Sequence, residues 1–160
     1  ALSQHQPIII RNPKSTRPWQ HVLDPLHGYL LLAKRLFENP DQTSGAWNFG
    51  PGVSDQITVL ELAKRFLTAW GTGTIQTPAA AEMAHHEAHL LHLNTDKATF
   101  DLHWKPVLGS SDAINWTVRW YKAWHEGRMI LQNISLSQIA IFSKQVLKNI
   151  KTEATAYPSQ

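Results

Sequence analysis

Three cations surround an Asn-Pro turn near the start of the chain: Arg11, Lys14 and Arg17, all ahead of the first acid, Asp24. A guanidinium fork can grip a phosphate through two parallel hydrogen bonds, so two arginines flanking a turn suit a nucleotide diphosphate. A solvated basic loop explains the same residues, because Arg and Lys mostly occur exposed. Both readings stand on the residues alone. Trp19 and Asp24, in the same stretch, read as a core aromatic and a helix cap.

A second cluster, His85, His86, Glu87, His89 and His92, invites a metal reading, since imidazole is a common transition-metal ligand. The spacing argues against it. A helical zinc site needs His-Glu-x-x-His to bring both imidazoles to one face, and His86-Glu87-Ala88-His89 is one residue short. On a strand, His89 and His92 would point to opposite faces. Solvated or ligand-contacting histidines are the expectation, with no metal. No Gly-x-Gly-x-x-Gly, Gly-Lys-Ser/Thr or Gly-x-Ser-x-Gly motif occurs, and none of Tyr29, Tyr121 and Tyr157 has a Lys four residues on. No catalytic centre can be assembled from what remains.

The elements that must position these residues follow from periodicity. Pro7 to Pro13 reads as a short strand entering a turn. Leu26, Leu30, Leu31, Ala33, Leu36 and Phe37 predict a helix with Asp24 as its cap, stopping before Asn39-Pro40. Trp47 to Pro51 reads as a second strand. Thr58, with Glu61 three residues later, predicts a capping box opening a helix that Gly71 ends. Residues 71–84 read as a loop, His89 to Leu93 as a third strand, and Asp96 to Leu102 as a short helix. A helix opening at Ser110 or Ser111 runs to Gly127. Ile139, Phe142, Val146, Leu147 and Ile150 predict a C-terminal docking helix over 134–151, with a flexible tail over 152–160.

Composition fits one globular domain: 160 residues, 42% hydrophobic and 17% charged. With no Cys, disulfide, zinc-ribbon, iron–sulfur and thiol chemistry are excluded. No run of eighteen apolar residues and no leader pattern at Ala1 to Gln6 is seen, so a soluble, cytoplasmic protein without membrane contact is expected. A net charge of +3 is too small to argue for nucleic acid. The fold class is α/β, yet three short strands make a poor sheet for so many helices. Such a set usually packs against a larger neighbour, and the seven Trp would belong partly to that interface.

Ile9-Ile10-Arg11-Asn12-Pro13, then Arg17-Pro18-Trp19-Gln20-His21-Val22-Leu23-Asp24-Pro25-Leu26-His27-Gly28-Tyr29-Leu30, closely resembles the CDP-glucose 4,6-dehydratases, extended short-chain dehydrogenases/reductases of the nucleotide-sugar branch. The likeness continues in order through Gly45 to Pro51, Val59-Leu60-Glu61-Leu62, His86-Glu87-Ala88-His89, Leu93 to Ala98 and Trp116 to Tyr121, and runs to about Ile141. It covers that family's C-terminal half only. The resemblance implies a helix-rich substrate-binding lobe over 1–133 that lacks most of the Rossmann sheet.

For the complete enzyme, the resemblance implies a lyase of lipopolysaccharide and O-antigen biosynthesis. CDP-glucose becomes CDP-4-keto-6-deoxyglucose and water, with NAD accepting hydride from C4 and returning it to C6. The NAD loop and the Tyr-x-x-x-Lys pair belong to the N-terminal half, so this chain is expected to bind no cofactor and to be inactive alone. By resemblance, Arg17 lies on the pyrophosphate, Ile10 and Arg11 run beside the nucleotide, and His86 and Glu87 stand where related enzymes bring a second phosphate contact. A homodimer is expected of the full-length enzyme. A stand-alone nucleotide-sugar-binding module, or a fragment of another epimerase or dehydratase, is the alternative reading.

Overall fold

A computed structural model describes residues 1–78, 90–127 and 131–156. In chain order the elements are β1 (Ile8–Ile9), α1 (Leu23–Glu38), α2 (Pro40–Thr43), α3 (Val59–Trp70), β2 (Ile75–Gln76), α4 (Asp96–Asp101), α5 (Ser110–His125) and α6 (Leu131–Ala156). The two strands pair in parallel, Ile8 opposite Ile75 and Ile9 opposite Gln76. The rest of the described architecture is helix on helix.

Helix α3 forms where its cap signal places it. Thr58 Oγ1 accepts the amide of Glu61 at 3.1 Å, and Gly71 closes the helix at φ 99°, a conformation that glycine adopts without a Cβ penalty. Its apolar stripe packs on α5. Ile57, Ile114 and Val118 form the buried centre there, with Trp19, Leu62, Phe66 and Trp70 against it. Polar contacts clamp this pair at both ends. Arg65 donates to Ser110 Oγ at 3.1 Å near the start of α5, and Lys122 Nζ donates to Trp70 O at 2.9 Å, satisfying a carbonyl at the end of α3.

A second core gathers Phe49, Ala98, Leu102 and Trp104, with Leu31, Leu32 and Trp47 packed around it. Gly28 is required at this contact, because a Cβ there would run into the ring of Phe49. Trp104 is 0% exposed, and its indole N–H donates to Asp24 O at 3.2 Å. Burial of an indole with its one donor satisfied is the favourable arrangement.

Several expectations are corrected. Asp24 does not cap α1, since the helix starts at Leu23 with Val22 before it; its buried carboxylate instead accepts the amide of Val107 at 2.6 Å. Trp47 to Pro51 is not a strand. No described backbone pairs with it, and Phe49 O is taken by the side chain of Gln20 at 2.9 Å. Of the segment read as a third strand, Leu90 makes one parallel bridge to Thr16 and residues 91–93 are irregular, while His89 lies outside the described residues. Strand β2 arises instead within the segment read as a loop. The C-terminal helix starts at Leu131 rather than 134 and continues past 151 to Ala156. It docks on α5 through Gln138 Nε2 to Trp116 O at 2.9 Å, and on α1 through the rings of Phe142 and His27.

Candidate functional site

The basic segment between β1 and α1 is held by its backbone. The first three amides of a helix have no partner within it. In α3 they are taken in turn: Val59 N donates to Ser15 O at 2.8 Å, Leu60 N to Pro13 O at 3.1 Å, and Glu61 N to Thr58 Oγ1. Two carbonyls of the basic segment are thereby pinned to the helix terminus, and a turn from Ser15 N to Asn12 O at 3.2 Å closes the loop. Thr16 bridges Thr58 on one side and Leu90 on the other. These bonds also occupy the N-terminal amides of α3, which would otherwise attract an anion. Any phosphate recognition here falls to side chains.

Arg17 follows this anchored stretch. Its Nη1 donates to Thr16 O at 2.7 Å, and its own carbonyl accepts Trp19 N at 2.8 Å. Arg17 is half-buried, and the bond to Thr16 O orients its guanidinium. Arg11 is exposed on the other side of the Asn12–Ser15 turn. Ile10 is 3% exposed and its amide donates to Gln76 O at 2.9 Å, so its side chain is part of the core while its backbone holds β1 on β2. The turn thus separates two arginines on one anchored loop. His86 and Glu87 lie outside the described residues, as do His85 and His89. Among the described residues no group of His, Cys, Asp and Glu could hold a metal ion, and His92 is hydrogen-bonded to Gln56.

Gln20, His21 and Asp24 continue the segment; in sequence Gln20 and His21 carry no role of their own, and Asp24 reads only as a helix cap. His21 is buried, accepts the amide of Leu23 on Nδ1 at 3.3 Å and stands edge-on to Trp116; burial lowers its pKa from the ordinary imidazole value. Burial also raises the Asp24 carboxyl to about 6, with the charge of Asp55 adding to it and the amides of Val107 and Leu108 opposing. Asp55 in turn accepts Ser110 N at 2.9 Å, placing a carboxylate at the positive end of α5. These acids assemble the lobe. No signal in the sequence announces this, because Val107 is 83 residues from Asp24 along the chain.

Among the described residues no glycine-rich turn leads from a strand into a helix. A dinucleotide cradle needs a glycine-rich turn leaving a strand and entering a helix. Here Gly71 and Gly73 precede β2 instead, and β1 leads to the Asn-Pro turn. Among the described residues no helix is long and apolar enough to cross a membrane.

No family model matches the chain. In sequence it is 40% identical over 131 residues to the CDP-glucose 4,6-dehydratase of Salmonella typhimurium, a match that takes in 82% of this chain and 36% of that protein. It therefore spans about a third of the length of the curated relative it matches. In fold it is similar to a crystal structure of dTDP-glucose 4,6-dehydratase from Bacillus anthracis in complex with NAD, with a TM-score of 0.59 and 18% identity over 81% of this chain and 39% of that one. The helix-rich lobe, with its two short strands, is thus similar in sequence to one part of a CDP-glucose 4,6-dehydratase and in fold to one part of a sugar-nucleotide dehydratase.

Proposed function

We propose that this chain is the substrate-binding part of a CDP-glucose 4,6-dehydratase, with Arg17 on the pyrophosphate of the nucleotide sugar and Arg11 and the Ile10 backbone beside the nucleotide. The observation that carries the reading is the anchored loop itself: a conformation fixed by main-chain bonds, with Arg17 oriented by Thr16 O, inside the segment whose sequence resembles that enzyme. Charge supports it too, since Arg11, Lys14 and Arg17 concentrate positive charge in one short segment with no acid between them. By resemblance, His86 and Glu87, which lie outside the described residues, stand where related enzymes bring a second phosphate contact. A histidine there would make binding depend on pH near its ordinary value of about 6.5.

The NAD chemistry of the complete enzyme is assigned to the part of the protein outside this chain. The outer surface of α1 offers that part a place to dock: Leu30 is 72% exposed, Phe37 92% and Tyr29 55%. The present residues bind and orient a substrate, and the oxidation, dehydration and reduction steps lie elsewhere.

The test is affinity. CDP-glucose should bind more tightly than dTDP-glucose or UDP-glucose by calorimetry. In a full-length protein Arg17→Ala should lose about 2–5 kcal/mol of that affinity if the pair with phosphate is well buried. Unchanged affinity and Michaelis constant would remove Arg17 from the site. Binding of CDP-glucose by the 160-residue chain without turnover would favour a stand-alone binding module, whereas no binding together with partial unfolding would mark a fragment of the enzyme.

A further inference from the structure

Away from the arginines, the turn at residues 20–23 faces α5 and α6 across an open cleft of about 410 Å³. No Lys, Arg, Asp or Glu lines it among the described residues. One wall is aromatic, Trp120 and Tyr121 with ring centroids 5.3 Å apart, and Val22, Leu23 and Ile139 supply aliphatic surface. Pockets of this size with apolar walls and a few placed polar groups are the usual form of a small-molecule site.

The polar groups in the cleft each use one bonding capacity on the protein and keep another. Ser135 Oγ accepts the indole N–H of Trp120 at 3.0 Å, which leaves its own O–H to donate. Thr117 donates to Ala113 O at 2.7 Å, leaving oxygen lone pairs. Gln138 donates its amide N–H to Trp116 O at 2.9 Å, leaving Oε1 as an acceptor. His21 accepts on Nδ1, so its proton resides on Nε2 as a donor. Gln20 adds Oε1, buried without a hydrogen-bond partner.

We propose that this cleft is a second binding site, for a neutral pyranose ring, distinct from the arginine loop. The absence of charged lining residues selects a neutral ligand, since nothing there would balance a phosphate or carboxylate. Donors and acceptors are mixed around one aromatic wall. A ring hydroxyl donates and accepts at once and can meet either kind, whereas a nucleobase edge has a fixed pattern and gains most from aromatic stacking. Trp120 is locked by its bond to Ser135, so the wall is preorganised. The proposal does not depend on the nucleotide-sugar reading.

The experiment titrates the chain with methyl α-D-glucopyranoside, and separately with cytidine and inorganic phosphate, while NMR follows the indole N–H of Trp120. A saturable shift with the glucoside alone is expected. Ile139→Trp, which fills the cleft from a position 47% exposed, should weaken binding by about tenfold or more, and Tyr121→Ala, which removes a half-exposed wall, should do likewise. Arg17→Ala should leave glucoside binding unchanged even where it abolishes binding of CDP-glucose, which separates the two sites. No saturable shift, a stronger response to cytidine or phosphate, or equal binding by parent and both variants would overturn the proposal.

Discussion

Arg17 and Asp24 belong to one short stretch of chain, yet they sit in regions held together by opposite means. Around Asp24 the side chains do the holding: its carboxylate takes the Val107 amide, its carbonyl takes the Trp104 indole, and Phe49 meets Trp104 edge-on at 5.1 Å. Around Arg17 the backbone does it, through Ser15 O and Pro13 O on the start of α3. Several side-chain atoms there, Ser15 Oγ, Thr16 Oγ1 and Trp19 Nε1, are buried without hydrogen-bond partners. A loop fixed by its main chain does not depend on side chains for its shape, whereas the knot does, even though Asp24 Oδ2 within it is also buried without a hydrogen-bond partner. That difference separates scaffold from candidate site more sharply than residue type does.

Removing a side chain from the knot should therefore cost the most. Trp104→Ala empties a fully buried site and leaves Asp24 O without its donor, so a loss of about 3–5 kcal/mol is expected in denaturant unfolding. A loss below about 1 kcal/mol would break the comparison, because the knot would then not be the scaffold.

The next effect depends on pH. Asp24 has a pKa raised from 3.8 to about 6 by burial in the folded lobe, so the folded state holds its proton more tightly than the unfolded chain does. Its contribution is fully present below about pH 4 and is lost as pH rises through about 6, a change on the order of 2–3 kcal/mol. His21 and His27 act in the other direction. Burial lowers both, so their contribution is present above the ordinary imidazole value of 6.5 and is lost as pH falls through their lower folded values. Asp24→Asn isolates the carboxyl, because it can keep an acceptor for Val107 without a charge. The variant should gain on the parent as pH rises from 4 to 7, measured by paired unfolding curves, and parallel curves would show that Asp24 stays ionised.

How much of this was legible in the sequence depends on how far apart the partners lie. The Thr58–Glu61 cap and the Gly71 stop are local, and both occur as the pattern predicts. Helix α1 ends before Asn39-Pro40 for an equally local reason. Asp24 was misread as a cap because its partner comes from the loop before α5, and strand β2 was missed because two residues in a Gly- and Thr-rich run pair only with a distant β1. Trp47 to Pro51 has a strand's composition, but none of the described chain supplies a neighbouring ladder. Of the site, the sequence marked Arg11 and Arg17 by charge. The pinning of their loop to α3 could not be read from residue types, since it is made by carbonyls that every residue carries.

The smallest effect tests that pinning directly. Thr58→Ala removes the side-chain acceptor for Glu61 N and should cost about 1 kcal/mol of stability, as the loss of a helix cap does. The bonds from Val59 and Leu60 to Ser15 and Pro13 use backbone on both sides, so the substitution leaves their atoms in place. Amide exchange at Glu61 should then accelerate beyond the change in global stability, while Val59 and Leu60 accelerate only in proportion to it. If all three amides accelerate together, the cap and the loop open as one unit. The arginine loop would then owe its conformation to a side chain after all, and the contrast with the Asp24 knot would fail at the residue where the two kinds of anchoring meet.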